Sequence, residues 1–353
     1  MNNESLSTWL IRAYYCGSLQ ILPIELIIYI HNFLINGSIK LRYRKDINLS
    51  SRVKEIVNNS SPVQSFFGHL DYHEESNKIV HIIKDFITTC EINNGHTFID
   101  IPYKFHNSGP NHKVSCENDG SNLIIKRTSS IDILDLYSDY PEPTSVCKFI
   151  YGSFIPGWLS MCKFNDRIYC LCRRNIVLNI SPNLRDTYTI YSHHTKLCSI
   201  CCIKELNLII LGDFLGTITI FNPIDITIKG VLKCANDSII SLDYYKKPDG
   251  DHIIVYTTTY KFIGTVNLDS KSGLLCNYKL IIPNYPESLN NTQVITINDQ
   301  GYILASYRNR LIFYNLHGQK VKKIKDFYYC RWLKHLELLA CLNDTQVRLY
   351  KIN

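Results

Sequence analysis

The sequence has few of the residues that mark fibrous or disordered chains. Its 353 residues include 16 glycines and 12 prolines, too few for a collagen-like or linker-rich protein. Hydrophobic residues make up 45% and charged residues 20% of the chain, a balance that excludes a mostly disordered protein. The net charge of +7 is a small excess on a chain of this size, and it does not by itself indicate nucleic-acid binding.

Signals for export and for membrane insertion are also lacking. Residues 1–10 contain no basic stretch of the kind that begins a signal peptide. The most apolar stretch, residues 19–35, is interrupted by Pro23, Glu25 and His31, so we do not expect it to cross a bilayer. We therefore expect a cytoplasmic or nuclear protein whose 14 cysteines are reduced.

Catalytic signatures are missing as well. The sequence contains no phosphate-binding Gly-x4-Gly-Lys-Ser/Thr loop, no His-Glu-x-x-His and no Gly-x-Ser-x-Gly. We predict a non-catalytic protein with no cofactor and no metal site. One cluster has the ligand types for zinc but falls largely on a predicted strand, where core packing is favoured; it comprises His193, His194, Cys198, Cys201 and Cys202.

The hydrophobic period changes near residue 96. Before it, residues 21–35 place apolar side chains on one face of a helix, and residues 6–15 and 51–58 have weaker helix-compatible spacing, which together predict a helical domain over residues 1–60. Residues 62–91 are apolar and have no clear breaker between Asn77 and Glu91. This pattern predicts a helical linker over residues 61–95.

From about Thr97 onward the hydrophobic period is two. Short β-branched and aromatic runs alternate with turn residues, which predicts a mainly β domain made of many short strands. Eleven strands are clearest: 123–126, 131–136, 167–172, 176–180, 208–211, 217–221, 253–257, 302–306, 311–315, 336–341 and 347–352.

An internal repeat of roughly 36–47 residues organises these strands, close to the period of a four-stranded propeller blade. Residues 198–222 resemble a WD-type repeat, with a Gly-Asp-x-x-Gly turn in which Asp213 is expected to bond turn amides. The Trp-Asp and Gly-His pairs of that family are missing. The resemblance implies a β-propeller over residues 96–353 with six blades, or alternatively seven, whose ring is closed by residues 97–103 pairing with the strand that ends at Ile352.

Near the N-terminus, residues 22–34 resemble the start of an F-box. The residues that carry the likeness are Leu22, Pro23, Glu25, Leu26, Ile27, Ile30, Phe33 and Leu34. The resemblance implies that these residues bind a Skp-type adaptor and, through it, the cullin and RING subunits of a ubiquitin ligase. The later Val-Cys-x-x-Trp segment of the family is not found, so residues 51–67 would have to supply the remaining helices of a domain over residues 1–60.

Basic residues recur in the predicted turns between second and third strands, which the repeat places on one face of the disc. They are Arg127, Arg173, Arg174, Lys261, Arg308 and Arg310, with Tyr260 and Tyr307 beside them. Guanidinium groups match carboxylates and phosphates, so an acidic or phosphorylated target is indicated. A separate run, Lys320, Lys322, Lys323 and Lys325, is interpreted as a solvated outer edge that discourages strand pairing.

Together these features predict a substrate-recognition subunit of an SCF-type ubiquitin ligase. The N-terminal segment would bind the adaptor and the propeller would hold a target protein. Two alternatives stay open: a propeller scaffold without a ligase, and a propeller that binds nucleic acid.

Overall fold

The computed structural model is a ring of seven four-stranded antiparallel sheets, which is a seven-bladed β-propeller. The structure describes residues 41–51, 54, 69–73, 76–83, 86–93, 95–101, 115–119, 122–126, 130–136, 144–148, 161–164, 167–172, 176–180, 187–259, 262–269, 275–282, 295–298, 300–307, 310–327, 329–333, 336–343 and 345–352.

The strands follow chain order within the blades, except in the last blade. The first strand, β1 (Leu41–Asn48), precedes blade 1, which contains β2 (His69–His73), β3 (Lys78–Ile83), β4 (Phe86–Glu91) and β5 (Ile99–Ile101). Blade 2 contains β6 (Ser115–Asp119), β7 (Asn122–Lys126), β8 (Ser130–Asp135) and β9 (Thr144–Lys148). Blade 3 contains β10 (Met161–Phe164), β11 (Arg167–Cys172), β12 (Ile176–Ile180) and β13 (Thr187–Ser192).

The remaining blades have the same design. Blade 4 contains β14 (Leu197–Ile203), β15 (Leu208–Asp213), β16 (Thr217–Asn222) and β17 (Thr227–Lys233). Blade 5 contains β18 (Ile239–Lys246), β19 (His252–Thr258), β20 (Ile263–Leu268) and β21 (Leu275–Ile282). Blade 6 contains β22 (Ile295–Ile297), β23 (Ile303–Tyr307), β24 (Arg310–Tyr314) and β25 (Lys320–Lys325). Blade 7 contains β26 (Tyr329–Leu333), β27 (Leu338–Leu342), β28 (Gln346–Ile352) and, as its fourth strand, β1.

The core lies between adjacent blades. The first strand of each blade packs beside the first strand of the next, and β26 packs beside β2, so the inner strands form a closed ring. Apolar side chains fill the spaces between the blades: Tyr169 and Leu171 of blade 3, for example, share a buried cluster with Ile209 and Leu211 of blade 4. The second strands β15 and β19 are buried at every position because neighbouring blades cover both of their faces, which explains their nearly continuous apolar sequences.

The prediction of a mainly β chain built from propeller repeats is confirmed. The eleven strands predicted from the period of two coincide with second and third strands of blades 2 to 7, within a few residues at each end. Of the two blade counts, the alternative of seven is correct and six is wrong.

The predicted helical linker over residues 61–95 is wrong, because β2, β3 and β4 lie within it. Isoleucine, valine and threonine dominate β3 and β4, and β-branched residues favour strands. Ile79, Val80, Ile82 and Ile87 are all buried, so the sequence shows no alternation between polar and apolar residues. The turn between β2 and β3 includes Asn77, which has a φ of 50° and breaks the apparent helix.

The predicted closing strand is also wrong. Residues 99–101 form β5, the fourth strand of blade 1, and the strand that pairs with β28 is β1. The pairing runs from Leu41 beside Ile352 to Asn48 beside Gln346. Residues 41–48 therefore belong to the propeller, and a helical domain over residues 1–60 does not have the predicted boundary.

Further contacts hold the closing strand to both of its neighbours. The Asp46 carboxylate accepts two hydrogen bonds from the Arg348 guanidinium of β28, at 2.7 and 3.1 Å. On the blade 1 side, the backbone amide of Phe98 donates to the carbonyl of Asn48 at 2.8 Å, and the Ser50 hydroxyl donates to Asp100 at 2.6 Å. The first and last blades are thus joined outside the ring of inner strands.

The F-box-like stretch, residues 22–34, lies outside the described residues, with all eight of its predicted adaptor-binding positions. Within the part of the chain that the structure describes, none of the helical segments has the length and apolar character needed to cross a membrane.

Candidate interaction surface

The connections between second and third strands lie where the repeat predicted them. The strands that flank residues 127, 173–174, 260–261 and 308 are the second and third strands of blades 2, 3, 5 and 6. Those residues, Arg127, Arg173, Arg174, Tyr260, Lys261 and Arg308, are outside the described part of the chain. The structure places the other two predicted target-binding residues, Tyr307 and Arg310, directly opposite each other at the ends of β23 and β24.

Arg310 lies in a group of positive charges. It pairs in register with Lys325 of the outer strand β25, while Lys323 and Lys320 follow along the same strand. Desolvation, and after it the charges of Arg310, Lys320 and Lys325, lower the pKa of the Lys323 ammonium. The predicted basic character of this blade is therefore present, and it extends from the turn to the outer edge.

In blade 4 the corresponding turn is held by a buried carboxylate. The Asp213 side chain accepts hydrogen bonds from the backbone amides of Leu215 at 2.9 Å and Thr217 at 2.7 Å. Its second oxygen accepts from the Thr195 hydroxyl at 2.7 Å. This is the structural role that the sequence indicated for Asp213, because a carboxylate in a tight turn satisfies amides that would otherwise lack partners.

The hydrogen bonds around Asp213 also join the link between blades 3 and 4 to the turn within blade 4. Thr195 lies between blades 3 and 4, and its hydroxyl is 2.9 Å from Nδ1 of the buried His193. The His193 ring stacks on His194 with centroids 4.3 Å apart, and its Nε2 lies 3.5 Å from the Thr219 hydroxyl. Through Thr195, the link that enters blade 4 is fixed to the turn at Asp213.

The cysteines of the possible zinc cluster have other contacts. The Cys202 thiol donates to the carbonyl of Lys163 at 3.1 Å, and the Cys198 thiol to the carbonyl of Lys196 at 3.7 Å. Among the described residues, no three side chains of the ligand types are grouped so that they could hold a metal ion.

Burial of His193 leads to a pH-dependent stability. Desolvation lowers its pKa below the ordinary value of 6.5, so below pH 6.5 the unfolded chain binds more protons than the folded one. The free energy of unfolding should be at its full value above about pH 6.5 and fall as the pH drops, by at most about 1.4 kcal/mol per pH unit for this one group. Urea denaturation between pH 5 and 8 measures this slope.

The matched variants for that experiment are His193→Gln and His317→Gln, since His317 is an exposed histidine in the turn between β24 and β25. We expect the first to flatten the slope and the second to leave it unchanged. Equal slopes in the wild type and His193→Gln would contradict the assignment.

The turn of blade 4 also presents two apolar side chains that the sequence analysis did not select. Phe214 and Leu215 are 51% and 48% exposed. Their backbone is nevertheless held firmly, because the amide of Phe214 donates to the carbonyl of Lys196 at 2.7 Å and the Ser238 hydroxyl donates to the carbonyl of Phe214 at 3.2 Å. A signal was present in the sequence, since the tip of this Gly-Asp-Phe-Leu-Gly turn has apolar residues where polar ones are usual.

Two lysines flank this exposed pair. The Lys196 ammonium lies 5.9 Å from the centroid of the Phe214 ring, and the Lys233 ammonium donates to the carbonyl of Leu215. We name the group of Phe214, Leu215, Lys196 and Lys233 the blade 4 turn site. It combines an apolar anchor with positive charge on a fixed backbone, which suits contact with another protein.

Comparison with known proteins identifies the fold. No protein-family model and no curated protein sequence matches this chain. A chain in the crystal structure of a mitotic checkpoint complex is similar to it, with a TM-score of 0.63 and 10% sequence identity, over 89% of this chain and 93% of that chain. At this identity the likeness shows the architecture alone, and the architecture that it shows is the β-propeller.

Proposed function

We propose that this protein is the non-catalytic substrate-recognition subunit of an SCF-type ubiquitin ligase. Its N-terminal segment binds a Skp-type adaptor and, through the adaptor, the cullin and RING subunits. Its propeller binds the protein to be modified, and the chemistry of ubiquitin transfer belongs to the partner subunits. The main alternative is a propeller scaffold that has no ligase partner.

One observation supports the separate role of the N-terminal segment more than any other. All 28 strands of the seven described blades lie between Leu41 and Ile352, and the ring is closed by β1. The ring of described blades is therefore closed without any residue that precedes Leu41. The F-box-like stretch ends only seven positions before Leu41, so a partner bound to it would be held near the outer edge of blade 7.

The face of the propeller that carries the connections between second and third strands supports a role in protein binding. Surface connections on a rigid scaffold commonly carry recognition residues. On this face the blade 4 turn site offers an apolar pair beside lysines, and blade 6 offers Arg310 and its neighbouring lysines. A target segment that combines an apolar side chain with carboxylates or phosphates fits these two groups.

The cysteines support a reducing location, the cytoplasm or the nucleus. The nine cysteines whose side chains the structure describes are thiols rather than disulfides, and most are buried, where they pack as small apolar side chains. Burial raises the pKa of Cys234 and of Cys330 to about 12, which keeps both as unreactive thiols at neutral pH.

Binding to a purified Skp-type adaptor tests the proposal. The full-length protein should form a complex that survives gel filtration, and Leu22→Ala/Pro23→Ala should weaken it at least tenfold, because these residues supply the apolar start of the docking helix in the F-box family. Isothermal titration calorimetry gives the affinities.

The matched control is Phe214→Ser/Leu215→Ser, which changes the blade 4 turn site. It should leave adaptor binding unaltered and reduce capture of the target protein. If the wild-type protein does not bind the adaptor, the scaffold alternative takes its place. If Leu22→Ala/Pro23→Ala binds as tightly as the wild type, the adaptor interface lies elsewhere.

A further inference from the structure

The outer strand of blade 6 is an edge with an unusual sequence. Among the described strands β25 pairs only with β24, so alternate backbone amides and carbonyls along its length point away from the sheet. Four of its six residues are lysines. Val321 and Ile324 pack against the apolar cluster between blades 6 and 7, while Lys320, Lys323 and Lys325 are exposed.

The charges of Lys320, Lys323 and Lys325 are not neutralised within the described part of the chain. Lys320, Lys323 and Lys325 form no ion pair with any described residue, including the adjacent Asp326. Lys229 of the outer strand β17, by contrast, lies 2.8 Å from the Asp225 carboxylate. The three exposed lysines of β25 therefore carry positive charge that no described carboxylate neutralises.

Arg310 increases the charge at the end of this edge. It is the register neighbour of Lys325, so the two positive side chains lie on the same face of the sheet. The lowered pKa of Lys323 agrees with this arrangement. Desolvation is its largest cause, and the remaining causes are the neighbouring cations Arg310, Lys320 and Lys325. Like charges this close destabilise the isolated propeller, and a bound anion would relieve the repulsion.

We propose that β25 binds an extended acidic segment of a partner protein, which adds to blade 6 as a fifth strand. Lysines on an edge strand discourage pairing with most strands, but an acidic strand turns the repulsion into attraction. Lys323 and Lys325 are two residues apart and share a face, so carboxylates at every second position of the incoming strand would lie opposite them.

The other face of the incoming strand would lie beside the side of β25 that carries Ile324, where β-branched residues fit best. The segment therefore alternates acidic and β-branched residues. A polypeptide is favoured over nucleic acid because strand addition uses the outward backbone groups of β25. The inference concerns a different surface from the adaptor site and does not depend on it.

A labelled peptide tests the inference by fluorescence anisotropy. The probe is the eight-residue peptide Glu-Thr-Glu-Val-Glu-Thr-Glu-Val, added to the full-length protein at low salt. We expect saturable binding that weakens as salt is raised. Lys323→Glu/Lys325→Glu should raise the dissociation constant at least tenfold, and its thermal unfolding should remain close to that of the wild type because both side chains are exposed.

Three controls separate strand addition from simple charge attraction. Lys204→Glu/Lys246→Glu changes the net charge equally at exposed positions in blades 4 and 5 and should bind the probe within about twofold of the wild type. A probe methylated on alternate backbone nitrogens keeps its charge but cannot pair, and it should bind at least tenfold more weakly. An eight-nucleotide single-stranded RNA should not displace the probe.

Each opposite result overturns the inference. Equal losses in the two double variants would mean nonspecific attraction, and full binding of the methylated probe would mean attraction without strand pairing. Displacement by RNA would identify a nucleic-acid surface. Leu22→Ala/Pro23→Ala should bind the probe normally, so failure here is distinguishable from failure of the ligase proposal.

Discussion

Deletion of residues 1–48 should open the ring and lower the melting temperature by more than about 10 °C, whereas deletion of residues 1–40 should change it by only a few degrees. The longer deletion removes β1, so β28 loses its ladder partner and blade 7 keeps three strands. It also removes Ile47, which is completely buried, and a buried isoleucine contributes roughly 2–5 kcal/mol relative to alanine. Differential scanning calorimetry and gel filtration measure the two effects.

A charge exchange provides an internal control for the closure. Asp46→Arg should destabilise the propeller, because it places two guanidinium groups together at the β1–β28 pair. The double variant Asp46→Arg/Arg348→Asp should recover part of that loss, since the ion pair is restored in reverse. If the two deletions melt at the same temperature, β1 is not the closing strand in solution.

Gly264→Val should destabilise blade 5 by about 3 kcal/mol, the upper range for overpacking a core. Gly264 of β20 lies directly opposite Tyr256 of β19, and a Cβ atom at this glycine would be 2.3 Å from the tyrosine Cζ and hydroxyl oxygen. Tyr256 is fully buried and its hydroxyl donates to the carbonyl of Cys234 at 3.2 Å, so the ring has nowhere to move. Urea denaturation gives the free energy.

A double-mutant cycle tests the cause of that loss. Tyr256→Leu removes the part of the ring that the new side chain would strike, so Gly264→Val should cost much less in that background. Tyr256→Phe removes only the hydroxyl and should not relieve the strain to the same extent. An additive cycle would contradict the steric explanation.

The sequence predicted the strands of six blades because their middle strands are short apolar runs bounded by turn residues. It failed for the first blade, where Ile79 to Ile82 and Ile87 to Cys90 follow each other with no glycine, proline or asparagine between them. Such a run has the composition of either a buried strand or a buried helix, and the period of the pattern does not distinguish them. Because blade 1 is interpreted as a helical linker, residues 97–103 are predicted to be the closing strand, and this prediction is wrong.

Closure itself depends on pairing between distant parts of the chain. Asp46 and Arg348 are 302 positions apart, and nothing local to residues 41–48 indicates β28 as their partner. For the candidate surface, the repeat places Tyr307 and Arg310 at the connection between β23 and β24, where the structure has them. The backbone of Phe214 is fixed by hydrogen bonds to Lys196 and Ser238, which belong to neighbouring connections and are not evident from the sequence of the turn itself.

The wide separation of β1 and β28 has a consequence for biosynthesis. At ribosomal rates of about 5–20 residues per second, β1 emerges roughly 15–60 s before β28 has been made. During that time the first strand is synthesised but has no partner, and the other six blades can form without it. In a polysome several such chains lie close together, and β1 of one chain matches β28 of another as well as its own. We therefore expect dimers that exchange this strand to form when the propeller misassembles.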